Sequence, residues 1–236
     1  MVSAVQHIPF LENLMNLKDT PISFMQLRDE MYRIFHINEV NKWEDLFHFL
    51  GADREYKGRT YAGLFNAPAG KGNHHSYKGG LCNHLFEMYQ MYQMLCTGGF
   101  PIKSHDPATN KQSVMRVILL HDLHKAYYEF TMEEENGEVR FEYGDHPSSR
   151  MITNDIKSLQ LANKFGITLS LMELNALFNS EGGYARNPPK YISVLAKLVY
   201  LLDEMSSNIL DRLKTETILN VKVNDADDLE VATYEL

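Results

Sequence analysis

The stretch LLHDLHK, residues 119–125, is the part of the sequence around which the rest is organised. It delivers an adjacent His121-Asp122 pair at the end of an apolar stripe, with His121 one helical turn after Val117. Adjacent side chains on a helix point about 100° apart, so the pair can serve one site only with a metal ion or its waters between them. A buried aspartate without a partner is costly, and a cation is the commonest remedy. The alternative is a capped helix end with a surface histidine.

Two other predicted helices carry ionisable residues on their apolar faces. The first begins at Gly80 and presents His84 on the same side as its leucines, which recur at helical spacing. The second spans residues 189–214 and carries Asp203 one turn after Val199. Both residues are therefore expected to face the core.

The polar residues on these apolar faces indicate a cation. Each has an ordinary explanation, as a satisfied core histidine or a solvated carboxylate, but each would carry its own desolvation penalty if buried. One cation between the helices would offset all of these penalties. Imidazole and carboxylate ligands without thiolate suit Zn, Mn, Fe, Co or Ni, and spacing does not choose among these metals. The residues are His84, His121, Asp122, Glu181 and Asp203, with His146 at the start of another helix.

The remaining pattern predicts an all-α fold with one inserted β-hairpin. Two loops, residues 51–80 and 98–110, separate the predicted helices, and the first carries His74, His75 and Lys78. Loops held on a rigid scaffold are where binding groups tend to lie. The other predicted elements are helices over 22–35 (Ile22 and Met25 inward), 41–50, 146–166 (Met151 and Ile156 inward) and 168–178 (Leu171 inward), and strands on either side of an Asn136-Gly137 turn.

Composition predicts a single globular unit of the cytoplasm, with no membrane segment. The 236 residues suffice for one sizeable core, and the net charge of −8 argues against a broad nucleic-acid surface. No apolar run is long enough to cross a bilayer, and the first residues lack the basic and apolar regions of a secretory signal. Cys82 and Cys96 fall on one predicted helix about 21 Å apart, too far to bridge. The predicted divisions are N-terminal helical elements packed on the core (1–65), the core (66–215) and an acidic tail (216–236).

The order of these residues resembles the HD superfamily of metal-dependent phosphohydrolases. The segment HHSYKGGLCNH, residues 74–84, preceded by Pro-Ala-Gly at 68–70, is similar to that of bacterial HD-domain 3′–5′ exoribonucleases. The similarity continues through the His-Asp pair with its lysine, the hairpin, a Gly-x-His ending at His146, and a Ser-x-x-Gly at residues 180–183. It covers residues 68 to about 209 and implies an HD-domain helical bundle.

The resemblance implies a first metal ion held by four residues. In two-metal members, Asp122 would bridge to a second ion, whose other ligands match His146 and Glu181. Two positions depart from the family pattern: Glu181 stands where relatives usually have histidine, and His124 stands where glycine is usual. The implied cofactor is one divalent ion, or two, of Mn, Co, Ni, Fe, Zn or Mg. The implied ligands of the first ion are His84, His121, Asp122 and Asp203.

The chemistry that such an ion supports is hydrolysis at phosphorus. A divalent ion lowers the pKa of bound water, and the resulting hydroxide attacks the phosphoryl group. Asp122 is therefore expected to be essential for turnover. Lys125 is expected to contact phosphate, with a solvated lysine at a helix end as the alternative. His75 is expected to hold phosphate or relay protons. The other expected substrate contacts are His74, Lys78, His124 and Arg186.

Three functions fit these residues. The first is a phosphohydrolase acting on a small-molecule nucleotide, such as a deoxynucleoside mono- or triphosphate. The second is a 3′–5′ exonuclease on short nucleic acid, or a cyclic-nucleotide phosphodiesterase. The exonuclease is disfavoured by the acidic balance and by the absence of room for the oligonucleotide-binding domain that those nucleases carry. A cyclic-nucleotide phosphodiesterase fits the site almost as well as the first function. The third is a non-catalytic nucleotide-binding module. The oligomeric state is left open.

Overall fold

Helices make up most of the chain that the computed structural model describes, which is residues 20–72, 74–98, 109–180 and 191–210. A 3₁₀ turn, Leu123–Ala126, follows the fourth helix, and a π-helical turn, Met205–Leu210, follows the last. The α-helices are α1 (Ile22–Ile34), α2 (Ile37–Gly51), α3 (Gly80–Thr97), α4 (Lys111–His121), α5 (Pro147–Arg150), α6 (Asn154–Lys164), α7 (Leu171–Phe178) and α8 (Val194–Glu204).

Helices α3, α4 and α8 pack against one another. The predicted apolar stripes are confirmed, because Leu85, Ile118 and Leu202 are all buried. Burying one such side chain contributes about 1.5–3 kcal/mol. The burial of several such side chains on one helical face therefore contributes enough free energy to place polar residues of the same face in the interior. The polar side chains carried inward in this way include His84 and His121, both of which are buried.

The buried face of α1 matches the prediction in part. Met31 is buried as predicted, whereas Ile22 and Met25 are exposed and Phe24 is buried in their place. The Phe24 ring packs edge-on against Phe47 of α2, with the ring centroids 5.1 Å apart. At the start of α1, this contact with a neighbouring helix decides which side chains face the core, and the apolar periodicity alone does not.

Helix α2 begins earlier than predicted. Its first residue is Ile37, after extended backbone at His36, and Asn41 lies inside the helix instead of capping it. The predicted inward side chains of Trp43 and its apolar neighbours are confirmed as buried, and the helix ends at Gly51 as expected.

A four-stranded antiparallel sheet replaces the single predicted hairpin. Its strands, in both chain and spatial order, are β1 (Arg54–Tyr56), β2 (Arg59–Tyr61), β3 (Phe130–Glu135) and β4 (Glu138–Tyr143). The predicted hairpin is β3–β4, and Asn136 and Gly137 both have positive φ, as a tight hairpin turn requires. The β1–β2 hairpin lies in the segment predicted to be a loop, and it joins β3 through the pairing of Tyr61 with Thr131. The described residues therefore contain two β-hairpins where the sequence predicted one.

The helix predicted over residues 146–166 is interrupted between α5 and α6. Met151 and Ile156 are exposed instead of inward. Helix α6 turns Lys157 into the interior, where its ammonium lies 3.0 Å from a carboxylate oxygen of Glu129. Leu159 and Ala162 pack in the core as predicted, so this buried ion pair lies beside apolar contacts of the same helix.

Helix α7 is capped by Ser170 instead of Thr168. The Ser170 hydroxyl accepts from the Glu173 backbone N–H at 3.3 Å, and the Glu173 carboxylate accepts from the Ser170 N–H at 2.7 Å. This reciprocal pair satisfies two backbone donors at the helix start. It places Leu171, predicted to face inward, at 86 % exposure.

Helix α8 begins at Val194, with Ser193 as its cap, instead of at Pro189. Within the described ranges, no helix is both long enough and apolar enough to cross a membrane. Two parts of the predicted division lie outside the described residues: the first 19 residues of the N-terminal helical elements, and the acidic tail over residues 216–236.

Candidate metal centre

The His121-Asp122 pair sits where α4 ends. His121 is the last helical residue and Asp122 caps the helix. The Nδ1 of His121 lies 2.7 Å from the carbonyl oxygen of Ile118. A carbonyl oxygen only accepts hydrogen bonds, so the proton of the neutral ring is on Nδ1 and the lone pair is on Nε2. His121 is thereby oriented as a ligand through Nε2.

The Nε2 of His84, on α3, lies close to three polar groups. It lies 3.3 Å from His121 Nε2, 3.5 Å from Asp122 Oδ2 and 3.2 Å from Asp203 Oδ1. The Asp122 Oδ2 is in turn 3.6 Å from His121 Nε2. His84 itself is fully buried. Side chains from α3, the end of α4 and α8 therefore meet, as their positions on the apolar faces predicted.

These separations fit a bound ion. Two ligand atoms about 2.0–2.1 Å from a metal ion, in tetrahedral directions, lie about 3.3 Å apart. The mutual distances among His84 Nε2, His121 Nε2 and Asp122 Oδ2 are close to this value. Asp203 Oδ1 lies 3.2 Å from His84 Nε2 but is not within 4.8 Å of all three of these atoms. Among the described residues, His84, His121 and Asp122 form a buried cluster that could hold a metal ion.

The charges around Asp122 favour its ionised form. Burial acts to raise its pKa, but the ammonium of Lys125, 2.6 Å from Oδ2, and the neighbouring imidazoles hold the pKa well below the usual range. Burial lowers the pKa of His84, so the ring stays neutral at physiological pH. An ionised carboxylate and a neutral imidazole are the forms that bind divalent cations.

A loop before α3 brings two further histidines to the cluster. His75 is buried, with φ of 45°, and its ring centroid lies 5.4 Å from that of His84. The His74 ring lies 5.1 Å from His84, and its Nδ1 is 3.3 Å from that of His75. Burial and the nearby positive groups lower the pKa of His74 to about 4. These three imidazoles form a second cluster of metal-binding residue types, which shares His84 with the first.

The donors of the first cluster are imidazole nitrogens and carboxylate oxygens. This set suits Zn, Mn, Fe, Co or Ni. The Cys82 thiol, also on α3, is engaged elsewhere, at 3.3 Å from the Leu64 carbonyl oxygen.

Comparison of this chain with protein-family models, curated proteins and solved structures found no match.

His146, predicted as a ligand of a second ion, lies in an aromatic cluster. Its ring stacks on Tyr128 with centroids 4.0 Å apart and planes at 12°, and it meets Tyr56 edge-on at 4.5 Å. Its Nδ1 accepts from the Ser148 backbone N–H at 3.1 Å. His146 is absent from both described clusters of metal-binding residue types.

The remaining predicted substrate contacts have different surroundings. Lys78 is exposed on the loop before α3, with no hydrogen bond or ion pair to any described residue. His124 is 1 % exposed, and its Nδ1 has no hydrogen-bond partner among the described residues. Burial lowers the pKa of His124 to about 3, which keeps the ring neutral. Glu181 and Arg186 lie outside the described residues.

Two residues next to the cluster were missed by the sequence reasoning. Ser206 lies 3.0 Å from His84 Nδ1, and Glu87 contacts both Ser206 and His75. The available signal was spacing, because Glu87 follows His84 by three residues and Ser206 follows Asp203 by three. Residues three apart on a helix share a face.

Proposed function

We propose that this chain is a metal-dependent phosphohydrolase of the HD superfamily that acts on a small nucleotide. The observation that carries the proposal is the buried cluster of His84, His121 and Asp122, whose ligand atoms lie 3.3–3.6 Å apart, with Asp203 Oδ1 3.2 Å from His84 Nε2. The motif order from residue 68 onward supports the family, and the fold supports it through the three helices that supply these residues.

In this proposal the four residues hold one divalent transition-metal ion. Such an ion supplies a Lewis acid that makes water a nucleophile at neutral pH and stabilises charge on phosphoryl oxygens. Asp122 is central because it is buried, ionised and adjacent to both histidines. A second ion would need His146 and Glu181. The aromatic contacts of His146 favour the one-ion form.

Lys125 is the proposed phosphate contact. Its ammonium lies 2.6 Å from Asp122 Oδ2, beside the place proposed for the ion. The ammonium would contact a phosphoryl group bound to the metal ion, and it would stabilise the negative charge that develops on the phosphoryl oxygens during attack. His74, on the loop over His84, is the second proposed contact, as a neutral imidazole that can donate to or accept from substrate oxygens.

A small nucleotide is favoured over a polymer by charge. A groove for nucleic acid needs a track of basic side chains along the phosphates. The chain carries 23 basic and 31 acidic residues, so basic residues are in the minority.

The test is hydrolysis by wild type and Asp122→Ala with each of Mn, Co, Ni, Zn and Mg in turn. We expect phosphate or pyrophosphate release from nucleotides by wild type. Asp122→Ala should lower the rate by ~10³-fold or more, because several kcal/mol of transition-state stabilisation are lost. Helical circular dichroism should persist in the variant. Asp29→Ala, an exposed aspartate on α1, is the matched control and should keep full activity.

The other outcomes are also decisive. Undiminished turnover by Asp122→Ala would overturn the mechanism. Shortening of labelled oligonucleotides, or opening of cyclic nucleotides, without release from free nucleotides would assign a phosphodiesterase. Metal binding by wild type with no turnover of any of these substrates would assign a binding module.

A further inference from the structure

Glu87 lies behind the proposed metal centre, on the side of His84 away from the ligand cluster. Its side chain is only 14 % exposed, and one oxygen, Oε2, receives two contacts. The Ser206 hydroxyl lies 3.2 Å from this oxygen and His75 Nε2 lies 3.1 Å from it. The Ser206 hydroxyl also lies 3.0 Å from His84 Nδ1. We propose that Glu87 is a positioning residue that sets the tautomers of His84 and His75 and so prepares His84 to bind the ion.

The number of protons available to His84, Ser206 and Glu87 determines the tautomer of His84. A carboxylate only accepts hydrogen bonds, whereas a hydroxyl has a single proton to donate. If Ser206 donates that proton to Glu87, its oxygen must accept from His84, so the His84 proton is on Nδ1. The lone pair is then on Nε2, the atom that faces His121 and the two aspartates. Without Glu87, the reverse arrangement becomes available, in which Ser206 donates to Nδ1 and a protonated Nε2 donates to Asp203.

The same carboxylate orders the loop histidines. His75 Nε2 donates to Glu87, which leaves the lone pair of His75 on Nδ1. That atom accepts from His74 Nδ1 at 3.3 Å, so His74 keeps its own lone pair on Nε2. One acidic side chain therefore determines where the protons are on three neighbouring rings.

The inference rests on the metal centre of the proposed function, but its main consequence can be measured independently. Partners that orient metal-binding histidines typically contribute 10–100-fold in metal affinity. Glu87→Gln keeps the size of the side chain and removes its charge. The glutamine amide keeps only one oxygen, which is neutral, and its NH₂ group donates hydrogen bonds instead of accepting them. The two groups that contact Oε2 in wild type, His75 Nε2 and the Ser206 hydroxyl, would then compete for that single oxygen.

The first measurement is metal affinity, by competition with a chromophoric chelator for Zn and Co. We expect Glu87→Gln to bind 10–100-fold more weakly than wild type. Ser206→Ala should weaken binding in the same direction, and the double variant should lose less than the sum of the two single effects, because Glu87 acts on His84 through Ser206. Glu134→Gln, an exposed glutamate on β3, is the matched control and should bind like wild type.

The second measurement is the tautomeric state of the histidines in metal-free protein, by ¹⁵N–¹H long-range correlation. Signals are assigned with His84→Gln and His75→Gln. We expect His84 protonated on Nδ1 and His75 on Nε2 in wild type, and a shift of His84 toward Nε2 protonation in Glu87→Gln. Unlike lost affinity, which a merely structural role could also cause, these signals report the proton positions directly.

The outcomes separate this inference from the proposed function. Wild type that binds none of the metals would end the metal-centre proposal, while the tautomers would still test Glu87. Wild-type His84 protonated on Nε2, or a Glu87→Gln variant with wild-type tautomers and affinity, would overturn the role of Glu87 and leave the centre standing. If Glu87→Gln does not fold, the wild-type spectrum and the Ser206→Ala variant decide the question.

Discussion

At the scale of single residues, His124 shows how burial changes a side chain's role. The sequence places it between the His121-Asp122 pair and Lys125, where a contact with substrate was expected. The structure buries it to 1 % exposure, with a backbone N–H donating to Ser158 Oγ at 3.3 Å. Burial lowers its pKa to about 3, so the ring of the folded protein is neutral at neutral pH. The substrate-contact role of His124 remains an untested prediction.

We expect His124→Leu to reduce the sensitivity of folding to acid. The unfolded state protonates near pH 6.5 and the folded state only near pH 3, so the unfolded state binds more protons between these values and stability falls as the pH falls. Between pH 7.5 and 5.5, one such histidine lowers the free energy of unfolding by about 1.4 kcal/mol. That increment should disappear in His124→Leu.

The measurement is urea unfolding of metal-free protein at both pH values. His48→Leu, at an exposed position on α2, is the comparison for the change of side chain alone. An equal loss of stability in His124→Leu and wild type between the two pH values would contradict the prediction.

At the scale of elements, the start of α3 depends on a glycine. A Cβ built on Gly80 would overlap the backbone carbonyl oxygen of His75, which itself accepts from the Ala69 N–H at 3.1 Å. Gly79, just before the helix, has a φ of 79°, in the left-handed region that glycine favours. This close return of the loop onto the helix places the His74 and His75 rings over His84.

We expect Gly80→Ala to displace the histidine loop. The overlap is between the added Cβ and backbone atoms of His75, so it cannot be relieved by rotating a side chain. The expected loss is 1–3 kcal/mol of unfolding free energy, as for other overpacked positions, together with weaker metal binding. Both are measured by urea unfolding and chelator competition.

Gly72→Ala provides the control within the same loop. Gly72 also has positive φ, but a Cβ there would meet no other atom within 4 Å. It should lose about 1 kcal/mol from backbone conformation alone and keep its metal affinity. If Gly80→Ala, Gly72→Ala and wild type all bound metal with equal affinity, the predicted effect of the histidine loop on metal binding would be contradicted.

At the scale of the whole molecule, the candidate centre joins parts of the chain that are far apart in sequence. His84, His121 and Asp203 come from α3, α4 and α8, which contact one another through the apolar core. The unfolded chain has no such constellation. An ion that binds only the folded state must therefore stabilise it by mass action.

We expect the metal-free protein to unfold at a lower temperature than the metal-loaded protein. At a free-ion concentration about 100 times Kd, binding adds about 2.7 kcal/mol, and each kcal/mol raises Tm by about 2–4 °C at this chain length. The expected difference is therefore about 5–10 °C by thermal circular dichroism, with and without chelator. Asp203→Asn should reduce the difference. If none of the metals tested raised the Tm of wild type above that of the metal-free protein, the proposed metal centre would be contradicted.

Much of the arrangement follows from local pattern. The spacing of apolar residues in α3, α4 and α8 places His84, His121 and Asp203 on faces that turn inward, and the Asn136-Gly137 turn specifies the β3–β4 hairpin. The β1–β2 hairpin was not predictable in the same way, because its strands have three residues each and show too little alternation to distinguish them from a loop.

The sequence by itself determined which helical faces are buried in the centre of the molecule, and therefore which polar side chains are carried inward with them. Only the tertiary structure decided which atoms those side chains meet: Ser206 and Glu87 behind His84, Tyr128 against His146, and burial for His124. The reason is physical. Helical periodicity is a property of one segment, whereas a distance between side chains of different segments depends on how those segments pack.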